Sequence, residues 1–372
     1  MTIEPSSHIR TYIGNRPKGY VNKKGDKLPK DKLHRYDMGE NINGPPSSVK
    51  GIIMKLDLKK IISEYPDPVY NELVNRLTRE YGVDSSNVTV GTGSNEILER
   101  ISRTYLDVTD KCAIIYPTFY RIEDATLRCT RNIIEIKLNE ENKFKLTEKD
   151  IDYILRMKDI KLIWVCSPNN PTGIIVPLNF IERLAKSKPN TLICVDEAWG
   201  EYVENWNEKY SCINLLNKYK NILVVRTFSK FYGLAGMTIG YALGSKELIE
   251  PLNHLRLEFP LNSLAEKLGV HILNNKLYFK EQIKLISDER KRLEKELDKL
   301  GNIVYIPSET SIMLIRHKNL SLHKELLKRN ILTANMNDCK GVEGKKWVRI
   351  TIQRERSKND ILLRILGKIK AN

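Results

Sequence analysis

Lys230 stands in the run Arg226-Thr227-Phe228-Ser229-Lys230-Phe231-Tyr232-Gly233-Leu234-Ala235-Gly236, directly after the apolar stretch Ile222 to Val225. Such a stretch reads as a buried strand, so the lysine falls on the loop that leaves its end. From there its amine can turn inward to a ligand; once desolvated, its pKa falls and it becomes a Schiff-base nucleophile. Taken alone, the lysine is as readily a solvated charge. Three further polar stretches follow apolar runs in the same way. Ser167-Pro168-Asn169-Asn170-Pro171-Thr172-Gly173 comes after Leu162 to Cys166, Asp196-Glu197-Ala198-Trp199 after Leu192 to Val195, and Gly91-Thr92-Gly93-Ser94-Asn95-Glu96 after Val88 to Val90. In an open parallel sheet these strand ends share one edge, where ligands bind. The glycine-containing stretch also opens the helix-like segment Ile97 to Tyr105, and backbone N–H groups at a helix N-terminus stabilise an anion.

In order and spacing the four stretches resemble the fold-type I pyridoxal-phosphate-dependent aminotransferases, in the branch that contains histidinol-phosphate aminotransferase. The resemblance covers nearly the whole chain. It implies an α/β fold with a mostly parallel, seven-stranded-type sheet flanked by helices, a smaller α+β C-terminal domain, and pyridoxal 5'-phosphate as cofactor. Lys230 would form the internal aldimine, and Asp196 would pair with the pyridine nitrogen and keep the ring an electron sink. A buried carboxylate without such a cation would be costly. Asn170 would donate to the ring O3′. Thr227 and Ser229 would hold the phosphate together with Gly93, Ser94 and Asn95. Phe119, in Tyr116-Pro117-Thr118-Phe119-Tyr120, would stack on the ring, with Tyr120 the alternative. Arg349, in Val348-Arg349-Ile350-Thr351, would bind the substrate carboxylate, which a guanidinium fork suits. Tyr65 would reach the partner subunit's cofactor phosphate in a homodimer, and Tyr12 and Asn41 would face the substrate. Plainer roles stay open: Asp196 as a helix cap, Arg349 as a surface charge, Tyr65 as loop packing, Tyr12 as a surface tyrosine.

Three positions depart from the family pattern. Trp199 stands where a tyrosine would donate a second bond to O3′, and Thr238 where an arginine would grip the cofactor phosphate. Ala334 stands where an arginine would grip a phosphate on the substrate. The resemblance therefore implies an aminotransferase for a non-phosphorylated α-amino acid and a 2-oxo acid. A decarboxylase, lyase or cyclase on the same fold is the alternative.

Composition is compatible with this reading. The 372 residues are 41% hydrophobic and 29% charged, the profile of a soluble globular chain long enough for more than one domain. No apolar stretch approaches a membrane span, and the polar N-terminus carries no signal core, so the expected location is the cytoplasm. Six scattered cysteines lack metal-ligand spacing and read as reduced thiols, with no metal site. The net charge of +16 raises the question of nucleic acid. Nine Lys or Arg against three acids fall in residues 1–35, but no nucleic-acid motif accompanies them, and general basicity is the expectation. A non-catalytic basic binding protein is the rival from another class.

The elements behind the motifs follow from periodicity. Residues 1–35 read as an arm, 36–265 as a large cofactor-binding domain and 266–372 as a small C-terminal domain. Tyr65-Pro66-Asp67-Pro68 forms a stiff helix entry, and Val69, Leu73, Val74, Leu77 and Tyr81 recur at helical spacing behind it. Residues 280–300 interleave opposite charges three and four apart, a solvated helix face with an apolar stripe.

Overall fold

Apolar runs bounded by polar loops become strands, and their order decides what meets what. A computed structural model describes residues 7–17, 33–41 and 43–369. Its strands are β1 (His34–Tyr36), β2 (Val88–Thr92), β3 (Lys111–Tyr116), β4 (Asn132–Lys137), β5 (Ile160–Cys166) and β6 (Leu192–Asp196). Then come β7 (Ile222–Thr227), β8 (Ile239–Gly244), β9 (Ile303–Ile306), β10 (Ile312–His317), β11 (Ile331–Asn335) and β12 (Val348–Thr351). Seven of them form one sheet in the order β2-β8-β7-β6-β5-β3-β4. Only β8 runs against its neighbours; the other pairings are parallel.

Every residue of β6 and β7 is buried, as expected of parallel strands covered by helices on both faces. Side chains alternate between the faces. Ile193, Val195, Ile222 and Val224 join one apolar cluster, and Cys194, Leu223 and Val225 join another on the opposite side. The expected seven-stranded, mostly parallel sheet is thus present.

The remaining strands form a second sheet, ordered β1-β11-β12-β10-β9. The charge-interleaved segment is the helix Lys276–Asp298, whose Ile286, Leu293 and Leu297 supply the buried stripe. Leu293 and Leu297 pack with Met313, Ile315, Val348 and Ile350 beneath this smaller sheet. β1 pairs in parallel with β11, and the Tyr36 hydroxyl donates to the Lys358 carbonyl at 2.6 Å. The arm boundary drawn at residue 35 therefore falls inside a strand of the smaller sheet. A three-residue strand carrying His, Arg and Tyr has too little alternation to be read from sequence.

Candidate active site

The C-terminal ends of β5, β6 and β7 lie side by side and deliver the three polar loops to one edge. Cys166 stands opposite Asp196, and Asp196 opposite Val225. The loops continue the ladder, since Ser167 N donates to Asp196 O at 3.0 Å and Glu197 N to Val225 O at 2.8 Å. Asp196 is buried, and its Oδ1 accepts from Ala198 N at 3.1 Å. Burial pushes its carboxyl up to about 6, opposed by the Ala198 N–H and by Lys230, and reinforced by the charge of Glu197.

The Lys230 amine is enclosed, and burial lowers its pKa to about 8. The Arg349 charge adds to that shift, while Glu40 and Asp196 oppose it. The amine donates to Met38 O at 3.4 Å and stands 5.6 Å from the centre of the Trp199 ring. Trp199 is buried beneath the backbone of residue 39; a Cβ on Gly39 would lie 2.5 Å from the indole, so a side chain there is excluded.

Arg349 comes from β12 of the smaller sheet, yet its Nη1 donates to Asn170 Oδ1 at 2.8 Å. Its Nη2 donates to the Asp37 carbonyl. With the carbonyl oxygen of Asn170 committed to Arg349, what that amide offers the rest of the site is its N–H donors. Residues 37–41 thus form a strap whose carbonyls face both cations, and Asn41 Nδ2 ties its end to the Phe231 carbonyl at 2.9 Å.

The glycine-rich stretch begins the helix Gly93–Tyr105. Gly93 has φ +74°, and β8 backs directly onto it: a Cβ on Gly240 would lie 2.3 Å from Gly93 C and 2.5 Å from Ser94 N. The exposed Thr238, at φ +50°, stands beside Gly93 with a neutral side chain. The Thr227 hydroxyl donates to Ile239 O at 3.1 Å and accepts from Ser229 N at 3.1 Å. Its proton therefore serves the turn.

Lys230, Asp196, Asn170, Arg349 and Trp199 are thus gathered by direct contacts or mutual charge effects. Phe119 follows β3 on the same edge and packs edge-on to Tyr120, centroids 5.3 Å apart. Two expected residues stand elsewhere in the single chain. Tyr65 is 84% exposed and stacks on Phe259 at 4.7 Å. The Tyr12 hydroxyl donates to Asp124 Oδ1 at 2.7 Å, so its polar tip is engaged by the helix Tyr120–Leu127.

Sequence reasoning missed the ion cluster of Arg226, Glu197 and Glu201, and the strap's carbonyls. Only the first left a signal: an acid directly after Asp196 and a base directly before Thr227 must point away from the edge that those two residues face.

Residues 35–366 match the family described as Aminotransferase class I and II. The chain belongs to that family. This aminotransferase is 32% identical over 366 residues to the histidinol-phosphate aminotransferase of Caldanaerobacter subterraneus subsp. tengcongensis, covering 97% of this chain and 99% of the other. It is 31% identical to the histidinol-phosphate aminotransferase of Methanocaldococcus jannaschii, over 92% of this chain and 91% of that one. A similar fold occurs in the histidinol-phosphate aminotransferase of Sinorhizobium meliloti, solved in complex with pyridoxal-5'-phosphate. There the TM-score is 0.80 at 20% identity, covering 99% of this chain and 98% of the other.

The enzyme is a pyridoxal-phosphate-dependent aminotransferase, and its donor set fits that cofactor. A buried carboxylate destabilised by desolvation calls for a cation, which a protonated ring nitrogen supplies. The enclosed amine, free N–H donors on Asn170 and a helix N-terminus complete the complement. Among the described residues no helix is long and apolar enough to cross a membrane, and no His, Cys, Asp and Glu cluster could hold a metal.

Proposed function

We propose that this aminotransferase moves the amino group of a non-phosphorylated α-amino acid to a 2-oxo acid. The cofactor, when bound, supplies an electron sink for the bond that breaks at the substrate carbon. Lys230 would hold the cofactor covalently, and as a free amine it would move a proton at the substrate carbon, a task that its burial-lowered pKa suits. Asp196 would keep the ring nitrogen protonated, Asn170 would donate to the ring oxygen, and Phe119 would cover the ring face. Gly93, Ser94, Asn95 and Ser229 take the phosphate. Arg349 grips the substrate carboxylate, which displaces the Asp37 carbonyl from its guanidinium.

The observation that carries the substrate class is the register of β11 on β12. Ala334, the position of the family's substrate-phosphate arginine, is the cross-strand partner of Arg349 and is 2% exposed. A methyl group therefore neighbours the guanidinium where a second cation would be needed to neutralise a phosphate dianion. Arg35, the nearby base on β1, is already paired with Asp37 and Glu40 at 3.2 and 3.3 Å.

The names of the relatives favour a second reading. Both the Caldanaerobacter and the Methanocaldococcus protein are named for histidinol phosphate, and the likeness spans nearly their full length. Measuring kcat/KM for histidinol phosphate beside a panel of free amino acids decides between the two. A higher value for an amino acid upholds the first; a higher value for histidinol phosphate restores the relatives' substrate.

The partner proposed for the chain is a second copy. Tyr65, Val69, Leu255 and Leu257 are exposed, and Arg256 Nη2 joins their two segments through the Pro68 carbonyl at 2.7 Å. Leu255 and Leu257 also line a cavity of about 440 Å³ together with Thr92 and Asn95 at the helix start. The cavity's other lining residues are mostly charged, among them Glu96, Glu99, Arg100 and Arg103, so the proposed contact surface joins exposed apolar side chains to a polar rim. Sedimentation of the purified enzyme as a monomer at micromolar concentration would remove the proposal.

A further inference from the structure

Beneath the edge that carries Asp196 lies a buried ion cluster that the proposed reaction does not use. Glu197 follows Asp196 along the chain and Arg226 precedes Thr227, so both point to the opposite face. Arg226 and Glu197 are fully buried, and Glu201 nearly so. Arg226 donates to Glu197 Oε2 from Nε at 3.1 Å and from Nη2 at 2.7 Å, and to Glu201 Oε1 from Nη1 at 3.4 Å. Glu197 Oε2 also accepts from Trp206 Nε1 at 2.9 Å and Ser211 Oγ at 2.8 Å, and its Oε1 from Cys212 N at 2.7 Å. Glu201 Oε2 is buried with no hydrogen-bond partner.

Two carboxylates thus share one guanidinium. The first of them is joined to Asp196 by a single peptide bond in a medium where charges are poorly screened. We propose that Arg226 is a positioning residue for the reaction centre: by neutralising Glu197 and anchoring Glu201, it lets Asp196 keep its own charge against the cofactor ring. The inference rests on the reading that Asp196 faces the ring nitrogen.

Charge bookkeeping gives the direction. The negative charge of Glu197 already opposes ionisation of Asp196. Arg226 is held well above its usual pKa by the acids and the tyrosines Tyr81 and Tyr241, against the cost of burial, so it stays protonated throughout the working range. The other groups facing Arg226 are Cys212 and Tyr232, whose pKa values burial also raises. Asp196 is faced by Lys230, by Glu197 and by the thiols of Cys166 and Cys194, both raised by burial. Removing the guanidinium leaves uncompensated negative charge beside Asp196 and raises its pKa.

The dissociation constant of pyridoxal phosphate, measured from pH 5 to 8 on the folded enzyme, tests this. In the wild type, affinity falls on the acid side as Asp196 takes a proton, and Asp196→Asn removes that acid-side step. Arg226→Met moves the step upward by about one pH unit, weakening binding about tenfold at pH 5 but only about twofold at pH 7. Glu197→Gln/Arg226→Met, which removes both charges, returns the step towards its wild-type position. Glu201→Gln replaces a carboxyl that is already largely protonated where Asp196 titrates, so it leaves the step in place. A merely structural cluster would leave the step in place in Arg226→Met, or would fail to return it in the double variant, and either outcome overturns the inference. If Asp196→Asn leaves the acid-side step in place, the role of Asp196 itself is wrong and the inference falls with it.

Discussion

Gly240→Ala tests the phosphate cradle without touching a polar group. The new methyl carbon would sit 2.3 Å from the Gly93 carbonyl carbon and 2.5 Å from Ser94 N, where real contacts do not fall below 3.0 Å. Both neighbours are backbone, so no rotamer change relieves the clash, and the helix start must retreat from β8 by about 0.7 Å. Overpacking of this kind costs about 1–3 kcal/mol of stability. The retreat also carries the N–H groups of Ser94 and Asn95 with it. An anion at a helix N-terminus is stabilised by about 0.3–2 kcal/mol, so losing most of that weakens pyridoxal phosphate binding by up to about thirtyfold. Thermal melting of the cofactor-free protein and fluorescence titration with pyridoxal phosphate measure the two effects separately. A variant that melts lower but binds the cofactor as tightly as the wild type would refute the cradle, because the strain would then be absorbed away from the phosphate. Gly236→Ala, where a Cβ meets nothing within 4 Å, is the control and is expected to change neither.

Lys230→Ala is expected to abolish amino-group transfer, and borohydride reduction of the wild type should place the pyridoxyl label on Lys230; a label on another lysine ends that assignment. Thr238→Arg is expected to tighten pyridoxal phosphate binding several-fold on dialysis, since a charge-assisted bond replaces a neutral one. A β-branched residue is already disfavoured at the φ of +50° found there, so arginine adds no backbone strain; unchanged or weaker retention would show that another group fills the place. Burial raises Glu201 to about 7 in the fold, above its unfolded value near 4.5. Its stabilising share is therefore complete below about pH 4.5 and lost as pH rises through 7. Glu201→Gln should accordingly gain melting temperature relative to the wild type at pH 8 but not at pH 4.5, and a difference independent of pH would contradict the raised carboxyl.

The reaction edge was legible because its makers are local. Leu162 to Cys166, Leu192 to Val195 and Ile222 to Val225 are apolar for the same reason that they are central, being buried on both faces, and the polar loops begin where burial ends. The smaller sheet was legible only in part. β9, β10 and β12 announce themselves by branched residues, whereas β1 is made a strand by β11, nearly 300 residues away, and nothing in His34-Arg35-Tyr36 foretells it. The buried cluster was hidden by a different rule. Arginine and glutamate read as surface, and only their pairing across β6 and β7 permits them to be fully enclosed. Tyr65 and Tyr12 are expected at the site only through the family resemblance, and in the single chain one is exposed and the other is bonded to Asp124.

The strap of residues 37–41 makes the site a seam. One of its ends is continuous with β1 in the smaller sheet, and the other is stitched to Phe231 in the loop of Lys230. Arg349 crosses the same seam from β12 to Asn170 at the end of β5. A substrate carboxylate taking up the Arg349 guanidinium would free the Asp37 carbonyl at the β1 end of the strap, while the bond to Asn170 keeps the smaller sheet tied to the end of β5. Entry would exchange a neutral carbonyl for a charged acceptor on the same guanidinium, and charge-assisted bonds are the stronger ones. Selectivity would then turn on whether the molecule presents an anion in place of the Asp37 carbonyl. Amines that lack an anion would leave the strap fastened and the lysine covered.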